Sequence, residues 1–438
     1  MENILILIFV LGYLSITLEH TLKIDKLIPA LVMMVLMWAV ISLGHFNIYT
    51  VDETLKVLAP ADLNETLLHH FGKTAEILIF LVGAMTIVEI VDYFDGFSAI
   101  KGFVKTQSKR KLLWVFCIIG FFLSSVIDNL TATIILISIL RKIVKTGELR
   151  IWYASLIIIA ANSGGAWSPI GDVTTTMLWI ANKVTTLNLI TNIFIPSVVS
   201  IAVPLLIASF LPIFRGNLEY TVVENKKASN YGNVMFYLGL GGIVFVPIFK
   251  TITHLPPYLG MMFSLAIVAI VAEILSLRKL EITTIENENT YISPIQKSLS
   301  RIEMPSVLFF LGILMAVAAL ESVGKLFQFS DWLTINIPNI DVVVIILGIS
   351  SSIIDNVPLV AASIGMFHNG IDDSLWHFVA YSAGTGGSML IIGSAAGVVA
   401  MGMEKINFFW YLKNITWLAA TGFIAGAIAF MLMRYFTF

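Results

Sequence analysis

The sequence predicts an all-α polytopic membrane protein made of two inverted repeats, each with a re-entrant helical hairpin and a broken transmembrane helix, flanked by scaffold helices. Three observations predict it. The 438 residues are 58% apolar and 12% charged, where soluble domains carry about twice that charge fraction; the mean hydropathy is +0.92. Apolar runs such as "LIPALVMMVLMWAVISL" recur to the last residues and approach or reach the roughly 20 residues that cross a bilayer core. An acid–amide pair, in "SSVIDNL" at 124–130, returns in "SSIIDNV" at 351–357, each time inside such a run. The runs are continuous and not alternating, which excludes a β-barrel.

Taken in order, spans are expected at 4–18, 27–43, 76–93, 112–140, 151–181, 190–214, 232–249, 256–276, 304–323, 341–366, 375–403 and 414–433. "MENILILIFV" lacks a basic leading region and a small-residue cleavage site, so it reads as a first membrane helix and not as a secretory signal. No Arg/Ser-rich transit segment precedes it, and the expected location is a bacterial inner (plasma) membrane, crossed many times. Connections are short. The two longest are 44–75 and 277–303, the latter containing "EITTIENENT", expected to be a solvated loop. The single cysteine, Cys117, excludes an internal disulfide or a cysteine-based metal cluster. A net charge of −2 without a basic block gives no sign of nucleic acid as a partner.

Lysine and arginine counts orient the chain. "KGFVKTQSKRK" (101–111) and "RKIVKTGELR" (141–150) are both basic and both expected on the cytoplasmic face. The segment between them then enters and leaves on one side, and its interruption at Ser124–Asn129 leaves two arms too short to span separately. That is a hairpin, 112–140, with the acid–amide motif at its tip. A non-helical tip is tolerated at membrane depth only inside protein or beside a water-filled cavity. The flanks of the second copy, 327–341 and 367–377, contain no Lys or Arg, so hairpin 341–366 is expected from the opposite face. "FLVGAMTIVEIVD" (80–92) parallels "FLGILMAVAALES" (310–322), and "SGGAWSPIGD" (163–172) parallels "TGGSMLIIGS" (385–394).

The resulting organisation has N-terminal scaffold helices in 1–75 and a first repeat in 76–214 with broken helix 151–181. Linking scaffold helices and a cytoplasmic loop occupy 215–303, and a second, inverted repeat with broken helix 375–403 occupies 304–438. Secondary transporters place their ion and substrate sites near the midplane, where the discontinuous helices of such repeats meet.

Chemistry is expected at those breaks. Asp128 and Asn129 stand at the first hairpin tip, Asp355 and Asn356 at the second. Asp and Asn are favoured helix N-caps, so capping the second arm is one role open to them. A neutral Ser, Thr or Asn would cap as well, whereas an ionised Asp at membrane depth costs about 2.5–3.5 kcal/mol on insertion scales. Asp in both copies therefore points to cation or proton binding. In "ANSGGAWSPIGDVTTTMLW" (161–179) Pro169 removes a backbone donor and the glycines permit a break. Unwound backbone offers carbonyl oxygens, hard ligands for a small cation, and Asn162, Ser163, Asp172, Thr174 and Thr175 add side-chain oxygen. The bland alternatives are close helix packing for the glycines and back-bonding to the helix for the threonines. In the second half Ser394 takes the place of Asp172 and Gly384 that of Asn162, leaving Ser382, Thr385, Ser388 and no acid. Glu89, near the end of span 76–93, is a candidate proton relay.

At these residues the chain resembles the ion transporter superfamily of divalent-anion/sodium symporters and arsenite pumps, and within it the NhaD-type sodium/proton antiporters. "SSVIDNLTAT", "NSGGAWSPIGDVTTTMLW", "SSIIDNVPLV" and "AGTGGSMLIIGSAAGVVAMG" carry the resemblance, which covers nearly the whole chain. It implies exchange of cytoplasmic Na⁺, and Li⁺ as well, for external H⁺, by an elevator-type motion of hairpins and broken helices against a dimeric scaffold. The implied ion- and proton-binding set is Ser124, Ser125, Asp128, Asn129, Thr131, Asn162, Asp172, Thr174 and Thr175 in the first half. In the second half it is Ser351, Ser352, Asp355, Asn356 and Ser388. Na⁺ would be held by Asp128, Asp172, Asn162 and Thr174. Pro358, where the first repeat has Thr131, leaves the second tip one hydroxyl poorer. No resident cofactor is implied: Na⁺, Li⁺ and H⁺ are cargo, and the other partners are membrane lipid and a second copy of the chain.

A dicarboxylate or arsenite transporter on the same scaffold is the alternative reading. Against it, Asp128, Asp172 and Asp355 would repel a dicarboxylate by several kcal/mol at low local dielectric. A channel lined by the hairpin tips is a further rival. The sequence has no HExxH, no G-x-S-x-G elbow and no phosphate-binding loop, so an enzyme is not expected.

Overall fold

The computed structural model of the chain describes every residue except 1, 18–22, 53–56, 102–105, 219–229, 284–292, 338, 354–355 and 438. Twenty α-helices, one 3-10 turn and one two-stranded hairpin make up the described residues. Seven of the helices are long and apolar enough to cross a membrane, among them Leu63–Tyr93, Thr186–Ser209 and Thr416–Phe436. Apolar side chains such as Leu7, Leu36, Phe263 and Ile270 are exposed on the outer helices. Such a surface suits acyl chains, since contiguous apolar patches are rare on soluble monomers. The protein is a multi-pass helical membrane protein.

Two bodies of helices share the structure. Glu2–Thr17, Leu27–Leu43, Leu63–Tyr93, Asn230–Thr253, Pro257–Thr283 and Met304–Ser322 pack on one another and form the scaffold. Within it Gly312 packs on the backbone of Ala30, where a side chain would not fit, and the Trp38 indole donates to the carbonyl of Met315 at 2.9 Å. The second body holds the hairpin Lys109–Ile127/Asn129–Ile143 and the broken helix Gly147–Gly165/Val173–Ile180, followed by Thr186–Ser209. With them pack the counterparts Ile340–Ser350/Asn356–Met366, Ser374–Gly386/Ala395–Glu404 and Thr416–Thr437. The first helix of each repeat thus lies with the scaffold, while the rest of the repeat lies in the second body.

The inverted repeat is visible contact by contact. The Ser124 hydroxyl donates to the carbonyl of Ala161 at 2.6 Å, and the Ser351 hydroxyl donates to that of Ala383 at 2.9 Å. A Cβ on Gly164 would overlap the carbonyl of Phe121; one on Gly386 would overlap that of Gly348. The paired glycines therefore let each broken helix lie backbone-to-backbone on the first arm of its hairpin. At the base of the first hairpin the Tyr153 hydroxyl donates to the carbonyl of Lys109 at 2.6 Å, so arm and broken helix start together and the tip and the helix break share one depth.

Several local expectations are corrected. Residues 44–75 are not an irregular loop: Ile48–Asp52 pairs antiparallel with Val57–Ala61, and the next helix already starts at Leu63. Asp62 caps that helix by accepting from the amides of Asn64 and Glu65, and the cap carries the helix through the polar "HHFGK" stretch. The first arm of the first hairpin has 19 residues, because Lys109–Lys111 at its foot are helical and not flanking loop. Within the flank 327–341, Lys325–Asn336 is a helix. His377 is buried in the first turn of the second broken helix, 3.7 Å from Asp372. Residues 284–290 of "EITTIENENT" lie outside the described residues.

Candidate functional site

The first hairpin turns at a single residue. Asp128 separates the two arms with φ 65°, a backbone conformation that L-residues rarely adopt. Its carboxylate accepts from the Thr131 amide and from the Thr131 hydroxyl, both at 2.8 Å. Capping is therefore one of its roles, yet the residue also lines a cavity of about 80 Å³. Asp172 lines the same cavity from the break in the first broken helix. It is 3% exposed and stands at the N-cap position of Val173–Ile180, but its side chain makes no capping bond. Its Oδ2 accepts instead from the Thr174 hydroxyl at 2.8 Å and from the Asn356 amide at 3.0 Å. Through Asn356 the second hairpin tip reaches the first repeat's acid.

The remaining polar walls are Asn129, Thr131, Thr176 and Asn356, all from hairpins or broken helices. The opposite wall is scaffold and almost wholly apolar, formed by Phe80, Leu81, Met85, Val88, Ile243, Met261, Val307 and Phe310. An apolar wall offers a bare ion no ligand, so most of the oxygen groups here belong to the second body. Polar exceptions on the scaffold are Lys26, Glu303 and Ser306, at the start of two scaffold helices. The cavity has room for a small cation with part of its hydration shell.

A buried relay holds the tips in place. The Asn129 amide donates to the Asn162 oxygen at 2.9 Å, and the Asn162 amide donates to the Ser394 hydroxyl at 3.0 Å. Asn162 and Ser163 are fully buried, and Ser163 shares a 2.9 Å hydrogen bond with Ser200 on Thr186–Ser209. Asn162 and Thr174, expected as Na⁺ ligands, act in this geometry on their neighbours: one on the relay, the other on Asp172. Ser124, Ser125, Ser351 and Ser352 each donate to a backbone carbonyl, as do Thr175 to Asp172 and Ser388 to Thr385. These six brace the breaks and are not among the cavity-lining residues. Asp355 lies outside the described residues.

Glu89 lines a second cavity, of about 220 Å³, together with Asp92, Asp95, Ser138 and Lys142. Thr131 borders both cavities, so the acidic one reaches the tip residue that binds Asp128. Sequence reasoning missed Thr176, Lys26, Glu303 and Ser306 as cavity residues and Ser394 as a relay member. Thr176 sits in the "TTT" run and was legible there. Lys26 and Glu303 look like ordinary residues at the ends of spans, and only the packing reveals that they face the aspartates' cavity.

A family model described as citrate transporter matches residues 6–376 of the chain. Sodium/proton antiporter 1 of Arabidopsis thaliana is 42% identical over 97% of this chain and 71% of its own length. Sodium/proton antiporter 2 of the same plant is 39% identical over 98% of this chain and 99% of its own. The Na⁺/H⁺ antiporter NhaD of Vibrio cholerae is 30% identical over 99% and 92%. The crystal structure of the YdaH transporter of Alcanivorax borkumensis superposes with a TM-score of 0.64, covering 94% of this chain and 99% of that one at 11% identity. That likeness is one of fold.

Proposed function

Since the chain belongs to the citrate transporter family and to its relatives the NhaD-type sodium/proton antiporters, we propose that it exchanges cytoplasmic Na⁺ for external H⁺ through competition at Asp128 and Asp172. One observation carries the reading: two carboxylates, from the hairpin tip and from the helix break, line one small cavity whose facing wall is apolar except at the edge formed by Lys26, Glu303 and Ser306. A cation bound there requires the ionised carboxylates, and a proton bound there removes the charge that holds the cation. Both ions thus use the same oxygens in turn. If the second body moves across the scaffold only when this charge is neutralised by one ion or the other, the exchange is coupled without any further part.

Around this pair Asn356 and Thr174 orient the Asp172 carboxylate, and Thr131 orients that of Asp128. The acidic cavity at Glu89, Asp92 and Asp95 supplies a cation-attracting approach that ends at Thr131, with Glu89 positioned to pass protons along it. Li⁺, smaller and equally hard, is a substrate of the same oxygens. The scaffold is the part that pairs with a second copy, no resident cofactor takes part, and Asp355 adds a third carboxylate at the second tip. A dicarboxylate cargo is disfavoured, because two like-charged oxygens about 4 Å away cost it several kcal/mol at an effective dielectric near 20.

The test is Na⁺-dependent proton movement in everted membrane vesicles. Addition of Na⁺ dissipates an imposed pH gradient with the wild-type protein, and Asp128→Asn or Asp172→Asn abolishes the response at equal protein amount. Exchange at the wild-type rate in Asp172→Asn would count decisively against the assignment. Uptake of labelled citrate without a Na⁺ response would transfer it to the anion reading.

A further inference from the structure

Among the described residues, four charged side chains line the Asp128–Asp172 cavity, and two of them, Lys26 and Glu303, belong to the scaffold. We propose that Lys26 is an affinity-determining residue, a scaffold-fixed ammonium at the rim of the carboxylate cavity that weakens Na⁺ binding on that face, with Glu303 opposing it. The inference rests on the exchange reading above and extends it to a residue outside the liganding body.

The geometry explains why the ammonium stays at the rim. Lys26 immediately precedes Leu27–Leu43, is half-buried, and its Nζ lies 4.6 Å from the centroid of the Phe309 ring. A cation held over an aromatic face keeps its charge in place at little cost in hydrogen bonds. Leu27–Leu43 and Met304–Ser322 run side by side from that end, so Lys26, Glu303 and Ser306 form one edge of the cavity. Glu303 is exposed, which marks this edge as the open one. Lys297 lies over the ring of Tyr93 at 5.2 Å, which puts the edge on the side where the basic segment 101–111 begins, the expected cytoplasmic side.

Physically, the ammonium and an incoming Na⁺ are rivals for the field of the same two carboxylates. The carboxylates ride on the other body, and their interaction with Lys26 lasts only while they face this rim. The residue therefore lowers cation affinity on one side of the membrane and not on the other, which favours release there and makes the two faces of the exchanger unequal.

The experiment is the half-saturating Na⁺ concentration of exchange in everted vesicles, where the cytoplasmic face is outward, measured at alkaline pH so that protons do not mask it. Lys26→Gln should lower this concentration roughly three- to tenfold, the effect of removing one unit charge near the rim. Lys26→Arg should leave it within about twofold, and Glu303→Gln should raise it about twofold, less because that carboxylate is exposed and screened. A residue that merely stabilised the helix end would change the maximal rate and protein yield without moving the two charges' effects in opposite directions. An unchanged or raised half-saturation in Lys26→Gln, with wild-type exchange intact, overturns the proposal. Should Lys26→Gln fail to reach the membrane, Glu303→Gln decides alone, and no rise there overturns it equally. Absence of Na⁺-dependent proton flux in the wild type would instead strike at the exchange reading itself.

Discussion

Asp172 and Ser394 occupy the same place in the two repeats and do opposite things. Their backbones are nearly superimposable, with φ −148° and ψ 150° at one and φ −146° and ψ 152° at the other. Ser394 caps its helix, accepting from the Gly397 amide at 3.2 Å. Asp172 leaves its helix uncapped by its side chain and turns to Thr174, Asn356 and the cavity. What differs is the residue across the repeat junction. Asn162 faces Ser394 and closes a hydrogen bond on it. Gly384, its counterpart, faces Asp172, and a Cβ there would already stand 3.7 Å from the Asp172 Oδ2 and clash with Ala166. Each junction thus pairs one longer polar side chain with a small residue, Ser394 in one case and Gly384 in the other. The long residue is an amide in one case and an acid in the other, so a duplicated frame yields one structural joint and one charged site.

The largest effect expected from breaking this difference is that of Asp172→Ser, which puts the same residue at positions 172 and 394. Losing one of two carboxylates from a low-dielectric cavity removes roughly 3 kcal/mol of cation binding or more, about 100-fold in Na⁺ affinity. Exchange in vesicles should vanish at millimolar Na⁺. The double change Asp172→Ser with Ser394→Asp should not restore it, because Asn162 already occupies the space in front of position 394. Recovery of exchange in the double variant would show that the junctions are interchangeable.

Next in size are the two glycines that the repeats share. Gly164→Ala and Gly386→Ala should each cost about 1–3 kcal/mol or more, since the new methyl meets a backbone carbonyl that cannot step aside. Thermal unfolding in detergent should show similar losses for both. A loss confined to one of them would mean that the two hairpins are not docked alike, contrary to their matched contacts.

Much of this frame was legible in the sequence, and the reason is physical. Apolar length, basic flanks and Gly/Pro breaks are local signals, and each dictates its element without help from distant residues; the paired motifs then reveal the repeat. Asp128 and Asp172 stood out because an acid in an apolar run needs a reason. The hydrogen-bond partners of Asn162, Thr174 and Thr175 were not legible, because a buried oxygen reads the same whichever group it faces. Asn162 turned out to bridge Asn129 and Ser394, two residues from different repeats. Lys26 was invisible for the complementary reason: at the end of a span lysine is ordinary, and only the meeting of residues 26, 128 and 303 around one cavity sets it apart. The helix through 63–75 was missed because a good cap and tertiary support outweighed a polar stretch.

The smallest effect expected concerns the two ends of the broken helices, which are fastened by different chemistry. On the basic side Glu404, at the end of the second broken helix, accepts from Arg141 at 2.7 Å and from Arg150, so the foot of one repeat is tied by ion pairs to the end of the other. At the opposite end Asp372 accepts from the Thr185 amide at 2.7 Å, the Thr185 hydroxyl at 2.9 Å and the Asn188 amide at 2.8 Å, a joint of hydrogen bonds to neutral groups. The Glu404 side chain is fully buried, while its arginines remain 44% and 25% exposed and can recover water. Glu404→Gln should therefore cost only about 1–2 kcal/mol, well below the penalty for stranding a fully buried charge. Asp372→Asn retains one acceptor oxygen and should cost about 1 kcal/mol or less. Unfolding temperatures of the two variants would rank the joints, and a larger drop for Asp372→Asn would show that backbone capping at the Thr185 helix, and not the ion pairs, holds the second body together.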